Sequence, residues 1–353
     1  MEEMILQIIV WTSFFLLLVM GTRYYFKKNS TYTLSQSENK HLDERILIIL
    51  TFRNEESIIE RALQKVISEI ISNVNCKLVL VDSASDDKSV DIVQKTIAES
   101  PLTADMWVLI HEDVPGKGIA LNRAIFSNYD EGDIVVMVDA DIEMPNGTLQ
   151  TFRELMSNSK IGAISAQEYI PPNHPMANYK KRSNKLRIFE SSSGNCPILE
   201  GSLLAWSPSR IGWNAFDELS NADDAQIGFK TIRSGHRSLV TDKLQFHSLR
   251  DPKKAAFLRS VRRSQGLNKQ LLRNMDLLWK TDSRLFRNIM VFNVLLHIII
   301  PWCVLSLILA FPYFLNHPHL FSNPSNLVSS FPSFLIVLSF LTNSGRTLLL
   351  GSL

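Results

Sequence analysis

From Ile46 to Ser165 the chain repeats one arrangement: a short unbroken apolar run, a polar turn, then a stretch with helical periodicity. The runs fall at residues 46–50, 77–81, 107–110, 134–138 and 161–165. A segment that is apolar at consecutive rather than alternate positions is built to be buried on both faces, as in a parallel sheet covered by helices on either side. Between the first two runs, Ile58, Ile59, Ala62, Leu63, Val66, Ile67, Ile70 and Ile71 recur at the spacing of one helix face, and a second helix-like stretch covers 88–98. The pattern predicts a doubly wound α/β domain, a Rossmann-like architecture. In such sheets ligands bind beyond the carboxyl ends of the strands, so the residues just after each run are where chemistry is expected.

Those positions are acidic. After the first run stands Thr51-Phe52-Arg53-Asn54-Glu55-Glu56, after the second Asp82-Ser83-Ala84-Ser85-Asp86-Asp87, and after the fourth Asp139-Ala140-Asp141. Like charges gathered at one sheet edge repel, and a fold tolerates them where a cation or hydrogen-bond donors bind. Asp139 and Asp141 form a hard oxygen pair suited to Mg²⁺ or Mn²⁺, an ion that stabilises a diphosphate as a leaving group. Asp-x-Asp also occurs as a turn or helix cap. Its position at the end of a buried run, beside other acidic strand ends, favours the metal. Asp86 and Asp87 read as caps of the next helix, which leaves Asp82 without such a role. Gly116-Lys117-Gly118 lacks the glycine spacing and the Ser or Thr of a phosphate loop, so Lys117 is either near a phosphate or part of an exposed helix start. Asp223-Asp224 opens a helix-like segment, where a plain N-terminal charge and a site role are both open.

The two ends of the chain differ from its middle. No Asp, Glu, Lys or Arg occurs from Asn288 to Gly345, and within that stretch residues 289–315 are apolar for longer than a bilayer core requires. A second apolar block at 327–342 is shorter and dotted with serines, so that spanning, re-entry and lying flat are all open. Residues 4–21 are apolar too. Glu2 and Glu3 precede them, the wrong sign for a cleaved signal peptide, which points to an uncleaved anchor. Arg23, Lys27 and Lys28 follow that anchor, and Lys280, Arg284 and Arg287 precede the later span, so both place the intervening domain on the cytosolic face. Three widely spaced cysteines, Cys76, Cys196 and Cys303, fit a reducing compartment. Lys+Arg 37 against Asp+Glu 35 is a near-neutral balance, which argues against a nucleic-acid binder with its large basic excess. The expected organisation is an anchor at 1–26, a linker at 27–44, an α/β domain at 45–250, a basic amphipathic interfacial region at 251–287 and a membrane region at 288–353. In the interfacial region, Arg259, Arg262, Arg263, Lys269 and Arg273 alternate with apolar residues. That suits a helix lying on anionic lipid, with a phosphate clamp as the alternative.

Taken in order, Arg53-Asn54-Glu55-Glu56, Asp82, Gly116-Lys117-Gly118-Ile119-Ala120-Leu121-Asn122, Asp139-Ala140-Asp141, Gly201-Ser202, Asp223-Asp224 and the Arg262 region resemble the family-2 inverting glycosyltransferases of GT-A fold. That group includes ceramide glucosyltransferases and hyaluronan- and cellulose-synthase-like enzymes. The resemblance runs from about Ile46 to Gly266. It implies a nucleotide-diphosphate sugar as donor, with a UDP-sugar favoured. Thr51, Arg53, Glu55 and Asp82 would hold the nucleoside, and Lys117 and Arg262 would lie near the diphosphate. Asp139 and Asp141 would serve ribose, metal and diphosphate, and Asp224 would be the catalytic base. His247 resembles a histidine that completes the metal shell in some members, although on residue type alone an ordinary core or surface histidine is the favoured reading.

Processive members carry Gln-x-x-Arg-Trp near the membrane. Here the stretch reads Arg259-Ser260-Val261-Arg262-Arg263, which keeps the arginine and loses the glutamine and the tryptophan. The expectation is transfer of one sugar to a membrane-associated acceptor, a lipid or lipid-linked glycan hydroxyl; a polyprenyl phosphate acceptor and a non-catalytic nucleotide-sugar scaffold are the alternatives. A sugar-nucleotide pyrophosphorylase would carry a glycine-rich loop after the first strand, and Thr51–Glu56 contains no glycine.

Overall fold

The structure is a computed structural model that describes residues 44–174, 176–250, 256–302, 304 and 305, with no side-chain detail for 256–259. The expected N-terminal anchor, the linker up to residue 43, and the block at 327–342 lie outside the described residues. What is described falls into two compact units, one holding residues up to 171 and 180–256, the other 172–179 and the residues from 257 onward.

The larger unit is an eight-stranded sheet in the order β3-β2-β1-β4-β7-β6-β8-β5. Its strands are β1 (Ile46–Phe52), β2 (Cys76–Ser83), β3 (Trp107–Glu112), β4 (Ile134–Asp139), β5 (Ile142–Glu143), β6 (Ile161–Tyr169), β7 (Leu203–Trp206) and β8 (Arg237–Ser248). Helices α1 (Ile59–Ile71), α2 (Ser89–Ala98), α3 (Lys117–Asn128) and α4 (Thr148–Met156) alternate with the first strands; α5 (Ala177–Ser193), α6 (Pro208–Ile211) and α7 (Asp223–Arg233) follow.

Residues 46–50 are all fully buried, and they divide between two cores. Ile46, Ile48 and Leu50 pack with Ile59, Leu63, Val66 and Val93 of α1 and α2. Leu47 and Ile49 pack with Ala120, Leu121 and Ala124 of α3 and Ile227 of α7. Each such side chain contributes about 1.5–3 kcal/mol by leaving water, so β1 is anchored from both sides.

The sheet is mixed, a correction to the parallel sheet read from the sequence. β3, β2, β1 and β4 are parallel, but β7 runs antiparallel to both β4 and β6, and β5 antiparallel to β8. Burial on both faces makes a strand apolar throughout whichever way it points, so direction left no trace in the composition of Leu203–Trp206.

The other unit contains α8 (Ala256–Arg273) from residue 257 onward, α9 (Leu277–Lys280) and α10 (Arg284–Val294), the last continued by a π-helical turn at Leu295–Ile299. Among the described residues one helix, Arg284–Trp302, is long and apolar enough to cross a membrane. Ser283 caps it, its hydroxyl accepting from the Phe286 amide at 3.2 Å.

Candidate active site

Strand register brings the acidic turns together. Thr51 is level with Asp139, Phe52 with Asp82, and Asp82 with His111, so β3, β2, β1 and β4 end in one row. The turns after β1 and β2 hold each other. Asn54 donates its amide to Ser85 Oγ (3.1 Å) and accepts the Asp86 amide at 2.8 Å, and the Glu55 amide donates to Ser89 Oγ at 2.8 Å. Both turns pass through the left-handed region at a non-glycine residue, Asn54 (φ 54°) and Ala84 (φ 57°). Asn adopts that conformation readily, whereas Ala84 does so at a cost of about 1–2 kcal/mol, the kind of local strain that clusters at functional sites.

Asp82 is buried. Its Oδ1 accepts the Ser85 amide (3.1 Å) and its Oδ2 lies 3.5 Å from His111 Nδ1. Thr51 is half-buried beside it, and Arg53 is exposed.

Two cations hold the remaining carboxylates. Lys117 Nζ sits 2.7 Å from Asp139 Oδ1 and 2.8 Å from Asp223 Oδ2, linking the end of β4 to the start of α7. Burial alone would lower its proton affinity, but Asp139 and Asp223 outweigh it and raise the pKa well above the ordinary lysine value. Arg250, just past β8, meets Glu55 through one Nη and Asp141 through Nε. Burial pushes the Glu55 carboxyl up to about 7, with Arg250 opposing and Asp141 and Asp139 reinforcing the rise. Asp141 is raised as well, by burial and then by Asp139.

Asp141 Oδ1 is buried and has no hydrogen-bond partner. An orphaned carboxylate oxygen beside a second aspartate is a hard donor set that fits Mg²⁺ or Mn²⁺. Among the described residues no three His, Cys, Asp or Glu side chains group as a metal shell. His247 is exposed on β8, and its ring lies against Tyr169 with centroids 4.8 Å apart. Arg262 is an exposed side chain on α8.

Asp224 stands in the first turn of α7, with its Oδ1 2.7 Å from the Ala225 amide. Burial, followed by the neighbouring charge of Asp223, raises its pKa to about 7, against the opposing pull of Arg187. The backbone of Gly201 presses on it: a Cβ at that glycine would lie 3.1 Å from Asp224 Cβ and 3.4 Å from its Oδ2. Behind it Arg187 pairs with Glu200, and Lys180 lies 2.5 Å from Glu168 and 3.8 Å from Glu200.

The start of α3 also clasps the loop at 216–218, which leads toward α7. A Cβ on Gly118 would lie 3.2 Å from the Glu218 Cα, tighter than an ordinary contact, so glycine there lets the loop at 216–218 approach without a shift. One turn on, the Asn122 side chain donates to Phe216 O (3.1 Å) and Glu218 Oε1 (3.0 Å) and accepts the Phe216 amide (2.7 Å). Sequence reasoning missed Asn122 as a clasp, along with Arg250, His111 and the Arg187–Glu200 pair. The available signal for Asn122 was a polar residue on the apolar face of α3.

Residues 47–203 match the family model of glycosyl transferase family 2, so a glycosyltransferase family 2 domain occupies that part of the chain. Asp223, Asp224 and Arg250 lie beyond the matched residues. No curated protein matches the chain. Among solved structures it is similar to a mannosyltransferase of Pyrobaculum calidifontis in complex with GDP-Man and Mn²⁺, at 22% identity over 98% of this chain and 97% of that one, with a TM-score of 0.76. A looser likeness is to glucosyl-3-phosphoglycerate synthase of Mycobacterium tuberculosis, at 17% identity over 66% and 81% of the two chains and a TM-score of 0.48. At 22% identity the first likeness is one of fold, the α/β GT-A-like fold of glycosyltransferases.

Proposed function

We propose that this chain, with its glycosyltransferase family 2 domain, is a metal-dependent inverting enzyme. It transfers a single sugar from a nucleotide-diphosphate donor to a hydroxyl of a membrane-associated acceptor on the cytosolic face. The observation that carries the reading is Asp224. A partly accessible carboxylate with its pKa raised to about 7 sits at a helix N-terminus, joined through Asp223 and Lys117 to the Asp139 end of the acidic row. A base tuned near working pH takes a hydroxyl proton most effectively.

In this reading Asp82, Thr51, Arg53 and Glu55 hold the nucleoside, and Asp139 and Asp141 hold a Mg²⁺ or Mn²⁺ ion, which when bound supplies charge stabilisation to the diphosphate. Lys117 fixes Asp139 and Asp223 in place. Asp224 accepts the proton from the acceptor oxygen as that oxygen bonds to the sugar's anomeric carbon and the bond to the diphosphate breaks. A single in-line displacement inverts the configuration. The orphaned Oδ1 of Asp141 supports the metal assignment. With no grouped triad among the described residues, the remaining metal ligands are assigned to the donor and to water, and His247 would join only if it moved. The helix Arg284–Trp302 supports membrane attachment, with the basic face that contains Arg262 lying at the lipid surface.

The donor is read as a UDP-sugar; the GDP-Man bound by the Pyrobaculum enzyme supports a GDP-sugar as the second reading. The test is incubation of the full chain in detergent with a labelled UDP- or GDP-sugar, Mn²⁺ and total membrane lipid. Label in a lipid product, with an anomeric configuration opposite to the donor's, is expected. A product of retained configuration would rule out the single displacement, and label found only in water-soluble glycans would rule out the membrane acceptor.

A further inference from the structure

Building on the metal site proposed above, we infer that Arg250 is an internal substitute for the divalent ion: it closes the Glu55–Asp141 pair when no metal is bound and must leave before a metal–diphosphate can enter. Three strand ends converge here, with Glu55 after β1, Asp141 after β4 and Arg250 after β8. The guanidinium uses different nitrogens for the two acids, so it bridges carboxylates whose repulsion would otherwise be unopposed. At Asp141, the acid it shares with the proposed metal site, the guanidinium supplies the positive charge that a divalent ion would supply there.

The bridge is incomplete, which distinguishes it from a purely structural pair. Arg250 engages Oδ2 of Asp141, while Oδ1 is buried and takes no hydrogen bond. In the structural pair at the far end of the sheet, by contrast, Arg45 meets both oxygens of Asp133, at 2.9 and 2.6 Å. Access differs as well. The Arg250 side chain is 38% exposed over a Glu55 that is 13% exposed, so the arginine reaches in from solvent and can swing out without opening the core. Once displaced, a guanidinium beside an incoming diphosphate finds a bidentate anionic partner in place of the carboxylates.

It follows that a bare metal ion binds weakly, because it must break two charge-assisted contacts, whereas metal and diphosphate arriving together give Arg250 somewhere to go. Mn²⁺ binding to the full chain, followed by electron paramagnetic resonance at pH 8 without nucleotide, tests this on wild type, Arg250→Gln, Arg250→Lys and Asp141→Asn. Arg250→Gln is expected to bind Mn²⁺ at least tenfold more tightly than wild type, equivalent to about 1.4 kcal/mol. Arg250→Lys, which keeps the charge but meets one carboxylate at a time, should fall between the two. If Arg250→Gln binds no more tightly while Asp141→Asn abolishes binding, the metal site stands and the substitution by Arg250 is overturned. Should Arg250→Gln fail to fold, Arg250→Lys decides: tighter binding than wild type upholds the inference, and equal or weaker binding overturns it. Binding indifferent to Asp141→Asn refutes the metal site itself and the inference with it.

Discussion

Asp224→Asn should inactivate the enzyme and at the same time stabilise it at alkaline pH. The Asp224 carboxyl is moved from its ordinary 3.8 to about 7 by burial and by Asp223. A folded-state pKa above the unfolded one means that the folded protein binds this proton more tightly. The ionised form therefore destabilises the fold above pH 7, and the penalty fades as pH falls toward about 4, where the unfolded chain is protonated as well. Three pH units at about 1.4 kcal/mol each set a ceiling of about 4 kcal/mol. Partial solvent access to Asp224 and relaxation of Asp223 reduce that to about 1–2 kcal/mol. Asparagine keeps an oxygen for the Ala225 amide and removes the charge, so the variant should melt about 3–6 °C above wild type at pH 8. Thermal unfolding of the full chain in detergent at pH 8 and pH 5 measures this, with the gap closing at the lower pH. A variant less stable than wild type at pH 8, or a gap that does not depend on pH, would refute the argument that Asp224 is held as a strained, high-affinity base. The same pKa places the acid limb of kcat/KM near pH 7, with activity falling about tenfold per pH unit below it.

The other expectations are local. Gly201→Ala puts a methyl 3.1 Å from Asp224 Cβ; kcat should fall tenfold or more with the donor KM little changed, at a stability cost of about 1–3 kcal/mol. Lys117→Met and Asp223→Asn, combined in a double-mutant cycle of unfolding free energies, should show coupling of about 1–3 kcal/mol, and additive effects would mean that the 2.8 Å contact contributes nothing. Glu69 is buried on α1 and accepts the Gly147 and Leu149 amides at 2.6 and 3.1 Å, capping α4. Glu69→Ala should cost about 2–3 kcal/mol in denaturant unfolding and leave the Mn²⁺ affinity unchanged.

Much of this architecture was legible from residue patterns alone, because burial on both sheet faces writes itself directly into composition. The runs at 46–50, 77–81, 107–110, 134–138 and 161–165 all lie within strands, and the α1, α2 and α7 segments were placed to within a few residues. The two-residue β5 and the antiparallel entry of β7 were not legible, since neither length two nor strand direction alters which residues are apolar. At the site, the row of Asp82, Thr51 and Asp139 followed from knowing that parallel strands end together. The charge partners did not. Arg250 is 195 positions from Glu55 in sequence, and no spacing rule connects them. The spacing around Lys117 suits a phosphate contact or an exposed helix start alike, and its nearest groups are two carboxylates. Asn122 is one polar residue on a helix in the sequence, and only the fold brings the 216–218 loop to rest on it.

The central claim, metal-dependent transfer of a sugar with Asp224 as base, is tested most directly by nucleoside diphosphate release from a panel of UDP- and GDP-sugars with Mn²⁺ and membrane lipid. The expected result is release from one donor that is abolished by EDTA, by Asp139→Ala and by Asp224→Asn, with Mn²⁺ restoring the EDTA-treated wild type. Release that persists in EDTA or in Asp224→Asn, or tight metal-dependent nucleotide binding with no release from any donor, would contradict it.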